Sequence, residues 1–488
     1  LMGFLRQMNV IATERLLPWA SLGLLINFIT GSLFFLGDPA RYVINIGFQI
    51  KMLLVLIAGL NALWFAIKVK PVIATWEPFS DTPLSAKVIG SVSLVAWLGV
   101  LLLGRPIIGI LAEFDALPGI SQEVATVRKP IVDKSAGHAC GHHLFGTAST
   151  AAAIAIKGYL KETKQQGTIR LYGTPAEEGG SAKVYMVRAG LFNDVDIVLH
   201  WHAGDRNVAS PSTSMANRSA KFRFYGYSAH AAGAPEKGRS SLDGVEAMNH
   251  MVNLMREHIP DASRIHYVIT RGGNAPNVVP DFAEVFYYVR DFNVDILENI
   301  WARVIKTAEG AALGTGTRMD YEIIHGNRPV LANEVAQKLM YNNLEKIGGI
   351  EYSKEEKIFA QELYKTLRDP NLELSSAKEI QSYKFTKGKG STDVGDVSWM
   401  VPTAGLRTAT WVPGTSAHTW QAVAAGGMSI GMKGMMIAAK TISGTAIDLY
   451  NDPTAINNAK KELIERRGPK FNYYSMLGDR NPPLDYRK

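Results

Sequence analysis

The sequence predicts an α/β protein in which a parallel sheet is interrupted by a smaller α+β domain and preceded by membrane-spanning helices. Three observations carry this expectation. Short runs at Ile107–Ala112, Thr168–Tyr172, Val195–Leu199 and Thr408–Val412 each lead into a polar loop, as strands of an open α/β sheet do. Between the last two, residues 216–325 read strand, helix, strand, strand, helix, strand. Ahead of the first, three long apolar runs occupy the opening 104 residues.

Those runs are Leu16–Gly37, Val43–Ile67 and Lys87–Gly104. Each is about long enough to cross a ~30 Å hydrocarbon layer as a helix, with Trp19, Trp64 and Trp97 as interfacial or packing rings. Asn27 and Asn61 are expected to face other helices. Arg6, Arg15, Lys68, Lys70 and Lys87 place both their loops on the cytoplasmic side by the positive-inside count, so three crossings leave the remainder outside. A buried core of a soluble domain is the alternative, but nothing later in the chain is suited to cover so much apolar surface. Arg105-Pro106 then passes into a strand with almost no linker, so either the sheet is small or the gene joins two unrelated pieces.

At 488 residues and 53.4 kDa the chain has room for two to four domains, with segments expected at 1–104, 105–215, 216–325 and 326–488. A net charge of +8 comes from scattered residues, and the cluster Lys460, Lys461, Arg466 and Arg467 reads as a solvated helix face, so no nucleic-acid partner is expected. A single cysteine excludes an intramolecular disulfide. The start at Leu1 rather than Met suggests an incomplete gene.

In the inserted domain, Lys221–Tyr225, Ile265–Ile269 and Ala283–Arg290 read as strands. Helix Ser241–His258 carries Leu242, Val245, Met248, Val252 and Met255 at helical spacing, and Val294–Gly310 reads as a second helix. A charged helical stretch follows at Glu334–Leu367. A glycine-rich helix over Ala422–Ile442 is expected to approach the sheet closely.

The chemistry concentrates in Gly137–Gly146, GHACGHHLFG. Cys140 and His142 stand two apart, so in an extended or loop backbone their side chains share a face, and thiolate and imidazole both suit zinc-like ions. Alone, such a pair is as well read as a buried, inert thiol. It gains weight from Glu177-Glu178, His202 and His418, each following one of the strands, which would meet at the sheet's carboxyl edge. A cysteine hydrolase using Cys140 is a further alternative, disfavoured by the paired glutamates and distant histidines.

The motifs EFDALPG, GHACGHH, TPAEEGG, GYSAHAA, NAPNVVPD, STDVGDVSWMVPT and VPGTSAHTWQAVA together resemble the M20 metallopeptidase and amidohydrolase family, in its branch of aminoacylases, hippurate hydrolases and auxin-conjugate hydrolases. The likeness covers about Pro106 to Lys488 and is greatest to the aminobenzoyl-glutamate-utilising group. It implies a catalytic domain with an inserted lid and two divalent ions per subunit, zinc or manganese. Cys140, His142, Glu178, His202 and His418 match the ligand positions and Glu177 the general base. Asp115 is expected to orient a ligand, His230 to stabilise the oxyanion in a neighbouring subunit's site, and Asn277 and Arg290 to contact substrate. The implied reaction is amide hydrolysis of an N-acyl or N-aroyl amino acid, p-aminobenzoyl-glutamate by preference, in a homodimer formed through the lid or with a paralogous subunit. Two departures stand out: His143 replaces the usual Asp or Asn, and the customary amino-terminal helix and strand give way to the membrane segment. The alternative is a membrane-anchored, catalytically impaired scaffold arising from gene fusion.

Overall fold

In the computed structural model, which describes residues 46–71, 83–102 and 106–484 together with Leu22 and Ile29, β1 (Ile107–Glu113) finds its neighbours downstream. It pairs in parallel with β2 (Thr168–Thr174) on one side and β3 (Ile197–Gly204) on the other. The late strand β8 (Thr403–Ala409) pairs with β3 and completes the sheet in the order β8-β3-β1-β2. Six of the seven β1 residues are buried, the signature of a strand covered on both faces. The helix His142–Glu162 follows the site loop, and the chain then returns to the sheet through β2.

Three sequence expectations shift here. The strand expected at Thr408–Val412 is instead Thr403–Ala409, because Thr403 pairs with Val198 and the chain leaves the ladder after Ala409. Trp411 then donates its N–H to the Gly204 carbonyl at 3.0 Å. The charged stretch divides into helices Glu334–Ile347 and Lys354–Tyr364, the first ending at Gly348 with φ 80°. The helix expected over Ala422–Ile442 is two, Trp420–Gly426 and Ser429–Asn451, bent by 73°. Its close approach does occur: a Cβ on Gly434 would lie 2.7 Å from Thr410 Cγ2 and 3.0 Å from the Ala409 carbonyl.

The inserted domain is an antiparallel sheet of β4 (Ala216–Tyr225), β5 (Arg264–Arg271), β6 (Phe282–Asp291) and β7 (Arg318–Asn327), ordered β5-β6-β4-β7. With helices Ser241–Met255 and Val294–Thr315 it forms the split βαβ arrangement. Each helix starts where its sequence says it should. Ser240 accepts from the Asp243 N–H and Asn293 from those of Asp295 and Ile296, while Gly316 ends the second helix in the left-handed region. Phe222, Phe224, Val285, Tyr287, Trp301 and Val304 fill the core between sheet and helices.

Where β7 leaves this domain, Arg328 is 3% exposed and lies over the rings of Trp399, Phe471, Tyr473 and Tyr474 at 4.5–5.7 Å. Beside it, buried Asp396 accepts the Arg328 N–H and the Tyr473 O–H, both at 2.8 Å. Burial pushes the Asp396 carboxyl up to about 6, against the pull of those hydrogen bonds. The folded chain thus holds this proton more tightly than the unfolded chain, whose Asp titrates near 3.8. Stability is therefore expected to fall by up to about 3 kcal/mol as pH rises from about 4 to 6. Asp396→Asn, which cannot ionise, should flatten that part of the profile when urea unfolding is followed at pH 4, 5 and 6. An unchanged slope would show that Asp396 is not the group responsible.

The described residues before Pro106 belong to a unit of their own. Helix Ile46–Trp64 continues through a π turn, Phe65–Val69, and pairs with helix Leu84–Leu102. Asn61 donates through Nδ2 to the Ile89 carbonyl at 2.8 Å, and Val69, Ala86 and Ile89 are buried together. Among the described residues one helical segment, Met52–Val69, is long and apolar enough to cross a membrane. Of the three expected spans, this one is supported among the described residues. Leu16–Gly37 lies outside the described residues apart from Leu22 and Ile29. The third run, Lys87–Gly104, falls in helix Leu84–Leu102, beyond which it leaves the described residues.

Candidate metal centre

The polar side chains gather at the carboxyl edge of the four-stranded parallel sheet, where the strands end and their loops are free to vary. β1 delivers Glu113 and, two residues on, Asp115. The loop after β2 delivers Glu177 and Glu178, β3 carries His202, and the loop after β8 carries His418. Cys140 and His142 flank Gly141, which precedes the helix His142–Glu162. Gly141 has φ 74°, and a Cβ there would lie 2.4 Å from Ala203 Cβ, so only glycine lets the Cys-Gly-His turn sit against β3. Strain is also held at Ala176 and His418, non-glycine residues with φ 56° and 63°. The His418 N–H donates to the Ala139 carbonyl at 3.0 Å, which ties the two most distant loops together.

Cys140 Sγ stands 3.4 Å from His202 Nε2 and 3.6 Å from His418 Nε2. His418 Nε2 is 3.5 Å from Glu178 Oε2. The donors form two groups that share the sulfur, Cys140 with His142 and His202, and Cys140 with Glu178 and His418. Two donors bound to one zinc-like ion at ~2.0–2.3 Å lie roughly 3–3.6 Å apart, so these separations are those of ligand sets. His142 Nε2 and Glu178 Oε1 are buried without a hydrogen-bond partner, and a divalent ion is the group that would satisfy them. The residues therefore fit divalent metal ions, which Cys140, His142, Glu178, His202 and His418 would hold.

Asp115 spans the site. Its Oδ1 lies 3.1 Å from His142 Nδ1 and its Oδ2 accepts the Glu178 N–H at 3.0 Å, leaving the His142 Nε2 edge to face the cluster. His202 Nδ1 is 2.7 Å from the Ala203 carbonyl, which likewise turns Nε2 inward. His143 points elsewhere, toward the Gly426 carbonyl at 3.3 Å and the His138 ring. Burial pushes the Cys140 thiol up to about 12, with the nearby His142 pulling the other way. Such a thiol is a poor nucleophile near neutrality, which counts against a cysteine hydrolase; a cation that displaces the proton makes it a ligand.

Behind the donors lies a buried ionic group that the sequence pattern does not announce. Lys183 is 0% exposed; its Nζ contacts Asp393 Oδ1 at 2.6 Å and Glu113 Oε1 at 2.7 Å, and its N–H donates to Asp393 Oδ2 at 3.0 Å. Nothing in Gly-Gly-Ser-Ala-Lys distinguishes this lysine from a solvated one at a helix start. Glu113 had a signal, being two residues from Asp115 at a strand end.

The remaining candidates lie in the inserted domain. His230 bridges to Val278, and its Nδ1 accepts the N–H groups of Ala232 and Gly233, while the Asn277 carbonyl accepts the Ala231 N–H. All these partners belong to the same domain. Arg290 on β6 lies over the Tyr288 ring at 5.3 Å, with its Nε buried and unpartnered.

The model of peptidase family M20/M25/M40 matches residues 109–362. One of the subunits of the p-aminobenzoyl-glutamate hydrolase of Escherichia coli (strain K12) is 39% identical over 386 residues, 74% of this chain and 80% of that protein. The other named subunit of the same hydrolase is 29% identical over 231 residues, 44% of this chain and 52% of its own. The Xaa-Arg dipeptidase of Homo sapiens is 28% identical over 366 residues, 74% and 73% of the two chains. A matched stretch that begins in β1, and an identity of 39% across most of both chains, make this chain a hydrolase of peptidase family M20/M25/M40.

Proposed function

We propose that the chain releases an amino acid from an N-aroyl conjugate, with p-aminobenzoyl-glutamate as substrate and two zinc or manganese ions held by Cys140, His142, Glu178, His202 and His418. The observation that carries this reading is the sharing of Cys140 by two three-donor groups. Bound divalent ions supply a water acidic enough to ionise near neutral pH and a Lewis acid for the amide carbonyl.

The chain's own residues do the rest. Glu177 takes a proton from the attacking water and returns it to the leaving nitrogen. Asp115 holds the His142 ring and the Glu178 backbone in place. Arg290 suits the substrate carboxylate through its planar fork, Asn277 lies in the loop beside His230, and His230 serves the oxyanion of a neighbouring subunit. The similarity to two different subunits of one hydrolase supports either a homodimer through the inserted domain or a pairing with a paralogous chain. The apolar helix Met52–Val69 supports attachment to a membrane.

The test is direct. Purified full-length chain should carry about two divalent ions and cleave p-aminobenzoyl-glutamate; removal of the ions by a chelator should abolish cleavage, and zinc or manganese should restore it. Metal-replete protein with no turnover on this or other N-acyl amino acids would favour the scaffold alternative.

A further inference from the structure

We propose that Glu113 is a sixth metal-binding side chain, donating through Oε2 to the ion held by His142. This deepens the two-ion reading above and rests on it. Glu113 ends β1 and is 1% exposed, so its carboxylate is fixed at the same sheet edge as the other donors. Its two oxygens have different surroundings. Oε1 receives Lys183 Nζ at 2.7 Å, whereas Oε2 stands 3.0 Å from His142 Nε2 without the alignment of a hydrogen bond, and neither of those last two atoms has another partner.

The tautomer of His142 sharpens the point. Its Nδ1 lies 3.1 Å from Asp115 Oδ1, an acceptor, so Nδ1 keeps its proton and Nε2 is the ring nitrogen open to an ion. Oε2 and Nε2 face each other across 3.0 Å, both buried, and a divalent ion that replaces a ring proton between them is bound by both. Ligand atoms ~2.0–2.2 Å from one ion stand roughly 3–3.6 Å apart, which matches this separation. Glu113 and His142 also fall in a third group, with the proton-handling Glu177 beside them, that shares His142 with the Cys140–His142–His202 group. Since one imidazole nitrogen binds one ion, the third group adds a donor to the His142 ion rather than a third ion. Lys183 and Asp393 hold Oε1 from behind and leave Oε2 as a one-oxygen ligand.

The competing account makes Glu113 only a structural partner of Lys183, and then metal binding is indifferent to Oε2. Full-length wild type and Glu113→Gln, which keeps an oxygen for Lys183, are titrated with Co²⁺ by equilibrium dialysis, with the visible spectrum recorded. Wild type is expected to bind two ions. In Glu113→Gln one of the two should bind at least about tenfold more weakly, with changed d–d bands. Two ions bound with wild-type affinity and spectrum in the variant would overturn the inference while leaving the two-ion reading intact. Wild type that binds no Co²⁺ would overturn both. Should the variant fail to fold, anomalous diffraction from zinc-loaded wild-type crystals decides: an ion within ~2.2 Å of Glu113 Oε2 supports the assignment, and one in the His142 group that leaves Oε2 uncoordinated overturns it.

Discussion

Glu177→Gln is expected to lower kcat on p-aminobenzoyl-glutamate by roughly 10²–10⁴-fold with both ions still bound. The size follows from removing the group that moves the proton while leaving the donors alone. Glu178 offers its Oε2 toward His418, whereas Glu177 belongs to the inner group with Glu113 and His142. The two carboxylates are thus turned apart by the loop, whose sharp turn is closed by the Gly180 N–H on the Ala176 carbonyl at 2.8 Å and carries a left-handed alanine. Glutamine keeps size and some hydrogen bonding, so metal content, read by elemental analysis, should stay at the wild-type level. A variant with wild-type kcat would remove Glu177 from the mechanism. Parallel loss of metal and rate would mean that it binds an ion instead of handling protons.

The second large effect is on stability. Replacing Lys183 by methionine should cost about 3–5 kcal/mol, because it strands two buried carboxylates, Glu113 and Asp393, without their shared cation. The three groups come from the end of β1, the helix Ala182–Arg188 and the turn before the helix Val394–Met400, so the ion group joins stretches far apart in sequence. Burial acts against the charge on Lys183, yet Asp393 and Glu113 outweigh it and hold the ammonium well above its ordinary value. For Asp393, burial wins over Lys183 and its carboxyl is raised. Partial rescue by Lys183→Met/Asp393→Asn, in which one stranded charge is removed, should distinguish lost pairing from lost packing. Denaturant unfolding of the full chain measures both variants; equal stability of wild type and Lys183→Met would refute the account.

The elements with strong local patterns were legible in the sequence. Helices Ser241–Met255 and Val294–Thr315 start at side-chain caps and carry apolar residues at helical spacing, and strands Ile107–Glu113 and Thr168–Thr174 begin where expected. Misplacement occurred where two apolar segments adjoin. Thr408–Val412 has more β-branched and aromatic residues than Thr403–Arg407, but pairing with β3 selects the earlier stretch, and Thr410 and Trp411 turn back onto Gly204. The long glycine-rich helix broke at Gly427-Met428, where the close packing of Gly431 on the Gly426 carbonyl sets the turn. No local pattern announces either event.

For the metal donors, residue type and spacing pointed to Cys140, His142, a Glu of the pair, His202 and His418, while the separate roles of Glu177 and Glu178 and the candidates His230, Asn277 and Arg290 came from the family resemblance. The convergence of the donors at one sheet edge was decided by the tertiary structure, as were the Asp115 bridge and the buried Lys183. The physical reason is one of range. Ligand type is a property of each side chain and is written in its letter. Whether a lysine meets water or two carboxylates depends on groups 70 and 210 positions away, which only the folded chain brings within 3 Å.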